Sequence, residues 1–325
     1  MLYFTTFFDF NYLPRALVMI HSLKECTGPF RMYVLCLDEK TEAYFRDNPM
    51  EEVITIPLSK LEEDAALVQA KANRSRVEYI FTLSPALPLY VLEHFPEVDR
   101  ITSLDADLCF YSNPEVLFRS GKSIYISPHR FSEANRRLEK YGKYNVSFQS
   151  FRRDDEGLAC LRKWKADCLE WCKDVLEGER YADQKYLDAW PALFKSLEVI
   201  QHKGACVATW NLDRSPVSKN QDVYFVIDEP LVFYHFHGVR KNRFNMYKLS
   251  IYDYCKSIGE YEKELYVNYI SHMQQMQKNL ETREIKRSAS KYPLLSDYYA
   301  VQPFGRLRVI KIINFFYPKS IFHKK

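Results

Sequence analysis

Three stretches of this sequence bring together side chains able to do chemistry. The first is "ITSLDADL", a strand-like run that ends in two aspartates one residue apart, Asp105 and Asp107. Carboxylates are seldom buried unless paired or bound to a cation. Asp-x-Asp at a strand end can hold one hard cation such as Mn²⁺ or Mg²⁺, which take oxygen ligands and share them with substrate phosphates. The same pair can also serve as two turn residues, because Asp favours turns and Ser-Asn-Pro follows closely. The second stretch is "YHFHGVRK", residues 234–241. His235 offers an imidazole ligand, Gly238 permits close backbone approach, and Lys241 supplies a point charge for a phosphate. Two surface histidines in a basic loop would read the same way. The third is "ADQKYLD", residues 182–188. Asp183 and Gln184 can cap a helix, or they can present a carboxylate acceptor and an amide donor to sugar hydroxyls.

These side chains need a scaffold, and the pattern around them predicts one. "MLYFTTF" reads as a strand, and "YLPRALVMIHSLKECTG" as a helix that stops at Gly28. "FRMYVLCLD" is a nearly continuous apolar run of the kind found in parallel sheets. "TEAYFRD" follows as a short helix and "EEVITIPL" as a strand. The stretch 61–95 reads as helical with an interruption between Ser84 and Pro88. "GKSIYISPHRF", "YNVSFQSFRR", "LEVIQHK" and "EPLVFYHFHG" read as strands, and "GLACLRKWKADCLEWCKDVLEG" and "YADQKYLDAWPALF" as helices. Strands alternating with helices predict an α/β layered sheet with right-handed crossovers. In such sheets ligands sit outside the carboxyl ends of the strands, where Asp105 and Asp107 fall. From about Lys248 the pattern turns helical and polar with no further strand, so the chain divides near residue 245 into a catalytic unit, 1–245, and a helical extension, 246–325.

Bulk composition narrows the chemistry. The 325 residues include only 9 Gly, and neither GxGxxG nor GxxxxGK[ST] occurs, so the dinucleotide and P-loop fingerprints are missing. A net charge of +4 gives no basic signature of nucleic-acid binding. The 24 Tyr and 22 Phe suffice for a large core and a stacking site. Eight cysteines without a CxxC pair fit a reducing compartment, and Cys168 and Cys172 read as core thiols on one helix. No apolar run has membrane-spanning length, and the basic n-region of a signal peptide is not seen, so the expected location is cytoplasmic.

The order of the motifs is more specific than any one of them: Thr5-Thr6 on the first strand, Asp-x-Asp, Asp-Gln, "WNL" at 210–212, then His-Phe-x-Gly-x-x-Lys. Over roughly residues 1–245 this resembles the retaining glycosyltransferases of family 8 type, the glycogenin and lipopolysaccharide glycosyltransferase group. It also resembles bacterial glycosyltransferases of polysaccharide gene clusters. The resemblance implies a GT-A fold, a UDP-sugar donor and Mn²⁺ (or Mg²⁺). Position by position, it implies Asp105, Asp107 and His235 as metal ligands. It puts Gly238 and Lys241 on the diphosphate, Thr5, Thr6 and Tyr12 on the uridine, and Asp183 and Gln184 at the donor sugar and acceptor. Asn211 falls in the same region. Two departures stand out. The family's Pro-Trp after the lysine is Asn242-Arg243 here, and "SPALPLYVLE" lacks the family's basic residue, for which Arg74 or Arg76 are the upstream substitutes.

The expected function is therefore hexose transfer from a nucleotide sugar, with retention, to a saccharide or lipid-linked acceptor in cell-surface polysaccharide synthesis. A different class, a catalytically silent carbohydrate-binding or scaffold protein on the same fold, remains open because fold does not fix function. A sugar nucleotidyltransferase would show a Gly-rich activating loop, which "TTFFDFNYLPR" lacks. The last stretch, residues 303–325, mixes Arg306, Arg308 and Lys311 with Ile and Phe. That pattern suits either peripheral contact with an anionic membrane face or a helix packed on the domain.

Overall fold

The computed structural model describes residues 1–241, 246–285 and 298–300. Its first 57 residues alternate strictly: β1 (Leu2–Phe8), α1 (Leu13–Cys26), β2 (Phe30–Cys36), α2 (Glu39–Asp47) and β3 (Val53–Pro57). Short helices α3 (Leu58–Leu61) and α4 (Ala65–Ala72) lead to the long α5 (Arg76–His94), and β4 (Arg100–Leu104) follows. Next come β5 (Leu108–Phe110), β6 (Ile124–Pro128), β7 (Tyr144–Arg152), α6 (Asp155–Glu170), α7 (Trp190–Leu193) and β8 (Leu197–Val199). The seven-stranded sheet has the order β3-β2-β1-β4-β7-β6-β8. Only β7 runs against its neighbours. This is the mixed, mostly parallel sheet flanked by helices that the alternation predicts.

Burial explains why β2 reads as a continuous apolar run. Met32, Val34 and Cys36 enter the core under α1, with Phe4, Leu17 and Ile20. Tyr33 and Leu35 enter the opposite core, with Leu83, Ile101, Trp164 and Trp190. A strand covered on both faces has no polar side to show. Residues on either side of the sheet each contribute roughly 1.5–3 kcal/mol on full burial, so neither layer is dispensable.

The remaining strands are small. β9 (Val217–Asn220), β10 (Val223–Val226) and β11 (Glu229–Pro230) form one antiparallel sheet. β12 (Phe233–His235) pairs antiparallel with β5, and β13 (Arg240–Lys241) pairs with β14 (Met246–Lys248). Helix α8 (Glu260–Ile285) lays Leu265, Tyr266, Tyr269, Ile270 and Met273 against Tyr234 and Phe236, and the Tyr269 ring stacks on Phe236 at 3.8 Å. A last short strand, β15 (Tyr298–Ala300), pairs parallel with β14.

Several expectations need correction. α6 ends at Glu170, so Cys172 lies past the helix expected to carry it, because the chain turns extended at Trp171. α5 is unbroken from residue 76 to 94 with Pro85 and Pro88 inside it, because packing on both faces outweighs the lost hydrogen bonds. The segment 181–194 is a 3-10 turn, Lys185–Ala189, followed by the single turn α7, because Ala182 takes a positive φ of 47° that no helix continues through. The hairpin β9–β10 was not anticipated. Its turn uses Gln221 at positive φ rather than the Asn-Gly or Asp-Gly that would announce it. A strand does follow Lys248, namely β15. Asn242 and Arg243 and the tail 303–325, on which a membrane contact was expected, lie outside the described residues.

Candidate active site

Asp105 is the first residue past β4, at the edge where the parallel strands β1 to β4 all end. Its backbone N–H donates to the Ser147 carbonyl at 2.9 Å, which fixes the turn to β7. The chain then leaves the main sheet as β5 and pairs with β12 in a register that sets His235 opposite Leu108. That pairing carries His235 beside Asp107: Nε2 lies 3.1 Å from Asp107 Oδ1 and 3.7 Å from Asp105 Oδ2. One ligand atom from each of the three residues falls within 4.8 Å of the others, and no other trio of this kind occurs among the described residues. The His235 N–H donates to the Val207 carbonyl at 2.8 Å, and the Phe236 N–H to the Asp107 carbonyl at 3.0 Å, so the backbone sets the spacing. The His235 and Asp107 side chains are 4% and 14% exposed while Asp105 is 37% exposed, so the trio opens outward through Asp105.

The charges are mutually dependent. Burial and then the His235 charge act on Asp107 in opposite directions, and the His235 charge and hydrogen bond win, holding its carboxyl below the usual range. Burial raises Asp105; His235 opposes this, while Asp107 and Asp183 push it further up. Burial alone would strip His235 of its proton, but Asp107 and Asp105 raise its pKa. Two carboxylates and one imidazole competing for protons at such range form a donor set that suits a divalent cation, with borderline nitrogen and hard oxygen ligands together. Alternation along a continuous strand would put His235 and His237 on one face. β12 ends at His235; His237 is the more exposed of the two, with its ring 5.6 Å from that of His235 and 5.5 Å from Trp210, and it makes no hydrogen bond to either aspartate.

Asp183 lies close enough to act on Asp105 and is itself 2% exposed. Ser84 Oγ, from the middle of α5, donates to Asp183 Oδ2 at 2.5 Å, and Trp164 Nε1 donates to the Asp183 carbonyl at 2.8 Å. The strained Ala182 before it aims the side chain inward. Burial raises the Asp183 carboxyl to about 6, with Ser84 pulling the other way. Gln184 is half-buried and donates its amide to the Tyr141 carbonyl at 3.1 Å.

The other expected residues occupy distinct settings. Thr5 and Thr6 are fully buried inside β1, whereas Tyr12, at the cap of α1, is 46% exposed. Tyr12 is electrostatically coupled to Asp107, Arg15 and Arg240, which places it at the rim. Asn211 is buried. Its Nδ2 donates to the carbonyls of His129 and Cys206, both at 2.8 Å, and its Oδ1 accepts from the Ala208 N–H. It therefore stitches the 206–212 turn, which holds His235 through Val207, to the end of β6. Gly238 has φ 71°, and a Cβ there would meet Ser250 Oγ at 2.5 Å. Lys241 Nζ donates to Gln277 Oε1 of α8 at 2.9 Å. Arg74 is engaged with Thr82 and the Leu169 carbonyl, and Arg76 pairs with Asp9 at 2.7 Å.

Sequence reasoning missed Ser84, His129 and Arg15, and took Trp210 only as part of the WNL motif. His129 is buried beside Asn145 and stacks on Phe131, and the Trp210 ring meets His235 edge-on at 5.3 Å. A histidine just past the end of β6 was the one available signal.

No family model matches the chain. Among solved structures it is similar to mouse xyloside xylosyltransferase 1 in its apo form, at 15% identity and TM-score 0.46, over 73% of this chain and 98% of that one. It is similar also to the galactosyltransferase LgtC in complex with donor and acceptor sugar analogs, at 15% identity and TM-score 0.47, over 73% of this chain and 87% of that one. By sequence it is 32% identical to YfnD of Bacillus subtilis (strain 168) over 252 residues, 75% of this chain and 81% of YfnD. To YfnF of the same strain it is 30% identical over 279 residues, 83% of this chain and 91% of YfnF. The chain belongs to the family of YfnD and YfnF.

Proposed function

We propose that this chain is a metal-dependent glycosyltransferase of the GT-A type that moves a hexose from a UDP-sugar to a saccharide or lipid-linked acceptor, with retention, in cell-surface polysaccharide synthesis. One observation carries the reading: Asp105, Asp107 and His235 converge, with ligand atoms within 4.8 Å, at the strand edge where an α/β sheet binds its ligands. Cleaving a sugar from a nucleoside diphosphate leaves negative charge on the phosphates. A divalent cation held by these three residues would stabilise that charge as a Lewis acid. The chain's own groups do the rest. Lys241, steadied by Gln277, adds positive charge on the leaving side. Tyr12 at the rim offers a face for the base. Asp183, buried and held by Ser84, and Gln184 beside it would serve the donor sugar and acceptor, and these two are the candidates to face the reacting carbon. Asn211 holds the turn that positions His235. Residues 1–245 would form the catalytic unit and 246–325 an extension that includes α8, with the last stretch, 303–325, attaching reversibly to an anionic membrane face.

The test is a screen of nucleotide-sugar hydrolysis by the pure protein, with Mn²⁺ and with chelator, for wild type and Asp107→Asn. Metal-dependent release of UDP by wild type and its loss in the variant are expected. A protein that binds saccharides but hydrolyses no nucleotide sugar would instead be the silent carbohydrate-binding form. For a hydrolysed donor, the anomeric configuration of the first product, read by NMR, decides retention.

A further inference from the structure

The sequence leaves a gap at the phosphates: α5, which precedes Asp-x-Asp, carries no basic side chain between Ser84 and Glu93. Arg74 is consumed by Thr82 and a carbonyl of α6, and Arg76 by Asp9. A different cation stands at the site. Arg15, on the first turn of α1, is half-buried, and its guanidinium carbon sits 4.6 Å over the Tyr12 ring. Its Nη2 donates to the Val239 carbonyl at 2.6 Å, across 224 residues of chain, and its Nη1 donates to the Asn11 carbonyl at 3.4 Å. Val239 lies between Gly238 and Lys241, so this one side chain ties the expected base end of the donor site to its expected phosphate end.

No carboxylate lies within ion-pair distance of Arg15 among the described residues. Two of its five N–H donors are used and neutral carbonyls take both. A half-buried guanidinium without a counter-ion is costly. An anionic ligand arriving between Tyr12 and the 238–241 loop would supply that counter-ion. The Arg15 charge is also felt at both Asp107 and Tyr12.

We propose that Arg15 is a donor-binding residue that contacts the diphosphate of the nucleotide sugar, in place of a cation from α5. This rests on the glycosyltransferase reading above. The guanidinium is preorganised by Tyr12 and Val239, so its remaining donors reach a phosphate oxygen without reordering the side chain. α1 therefore supplies both a stacking ring and a phosphate cation.

The experiment is calorimetric titration of UDP and of uridine, each with Mn²⁺ present, into wild type, Arg15→Lys and Arg15→Gln. A charge-assisted hydrogen bond is worth roughly tenfold to a hundredfold in affinity. Arg15→Gln is expected to lose that for UDP while uridine binding stays within about twofold. Arg15→Lys, which keeps the charge, should recover most of the loss. A purely structural clamp would lower UDP and uridine together, and Lys would rescue no better than Gln; either result overturns the assignment. Unchanged UDP affinity in Arg15→Gln overturns it as well. Wild type that binds neither ligand refutes the glycosyltransferase reading itself, and with it the role of Arg15.

Discussion

Replacing Asp183 by Asn should make the protein more stable and inactive at once. The carboxyl is 2% exposed, and burial lifts its pKa from 3.8 to about 6. The folded chain thus binds that proton more tightly than the unfolded chain. Its contribution to stability is full below about pH 4 and is lost as pH rises through 6. A rise from 3.8 to about 6, at about 1.4 kcal/mol for each pH unit, amounts to roughly 3 kcal/mol of destabilisation at pH 7.5. Asn keeps the acceptor for the Ser84 hydroxyl, donating at 2.5 Å, and removes the buried charge. Its amide N–H groups enter a pocket built for a carboxylate, at a cost of about 1 kcal/mol. The net expectation is a gain of about 1–2 kcal/mol at pH 7.5 that disappears near pH 4, seen as a higher denaturation midpoint with unchanged slope. Urea unfolding of both proteins at the two pH values measures it, and nucleotide-sugar hydrolysis under the same conditions should fall to background. Equal or lower stability of the variant at pH 7.5 would refute the reasoning, because Asp183 would then not be held at an energetic cost.

Three further perturbations bear on the same site. His235→Ala should abolish Mn²⁺-dependent hydrolysis while His237→Ala retains most of it, since only the former meets the aspartates; the opposite pattern would show that the metal histidine is two residues away. Gly238→Ala should destabilise the chain by about 1–3 kcal/mol through positive φ and the collision with Ser250, read by denaturation, and an unchanged midpoint would show that the loop accepts a side chain there. Ser84→Ala removes the donor that favours ionised Asp183. Its pKa then moves further up, so the acid limb of the pH–rate profile should shift to higher pH, and an unmoved limb would mean that Asp183 is not the titrating group.

The sheet was readable from sequence because central strands such as β2 are buried on both faces and its helices carry caps, such as Asp38 on α2 and the Ser75–Glu78 capping box on α5. Asp105, Asp107 and His235 were legible by type and order, but their meeting depends on the β5–β12 register, which no local pattern encodes. Ser84 was not legible, because a serine between an apolar run and a proline carries no periodic signal. Its role exists only through Asp183, which is 99 residues away. α5 was misread where Pro85 and Pro88 follow local rules that tertiary packing overrides. Arg15 was invisible for a similar reason: its defining contact is the carbonyl of Val239.

The β5–β12 pairing joins residues 108 and 235, and this orders events while the chain is being made. At roughly 5–20 residues per second, on the order of ten seconds pass between synthesis of Asp107 and of His235. During that interval β1 to β4 can assemble, but β5 presents an unpaired edge lined by Leu108 and Phe110, open to pairing with another nascent chain. Products truncated before residue 233 would keep that edge permanently, so nonsense alleles in this region should yield aggregates rather than a dispersed, weakened protein. Any attempt to split the protein into separately expressed halves should therefore keep residues 108–110 and 233–235 on the same piece.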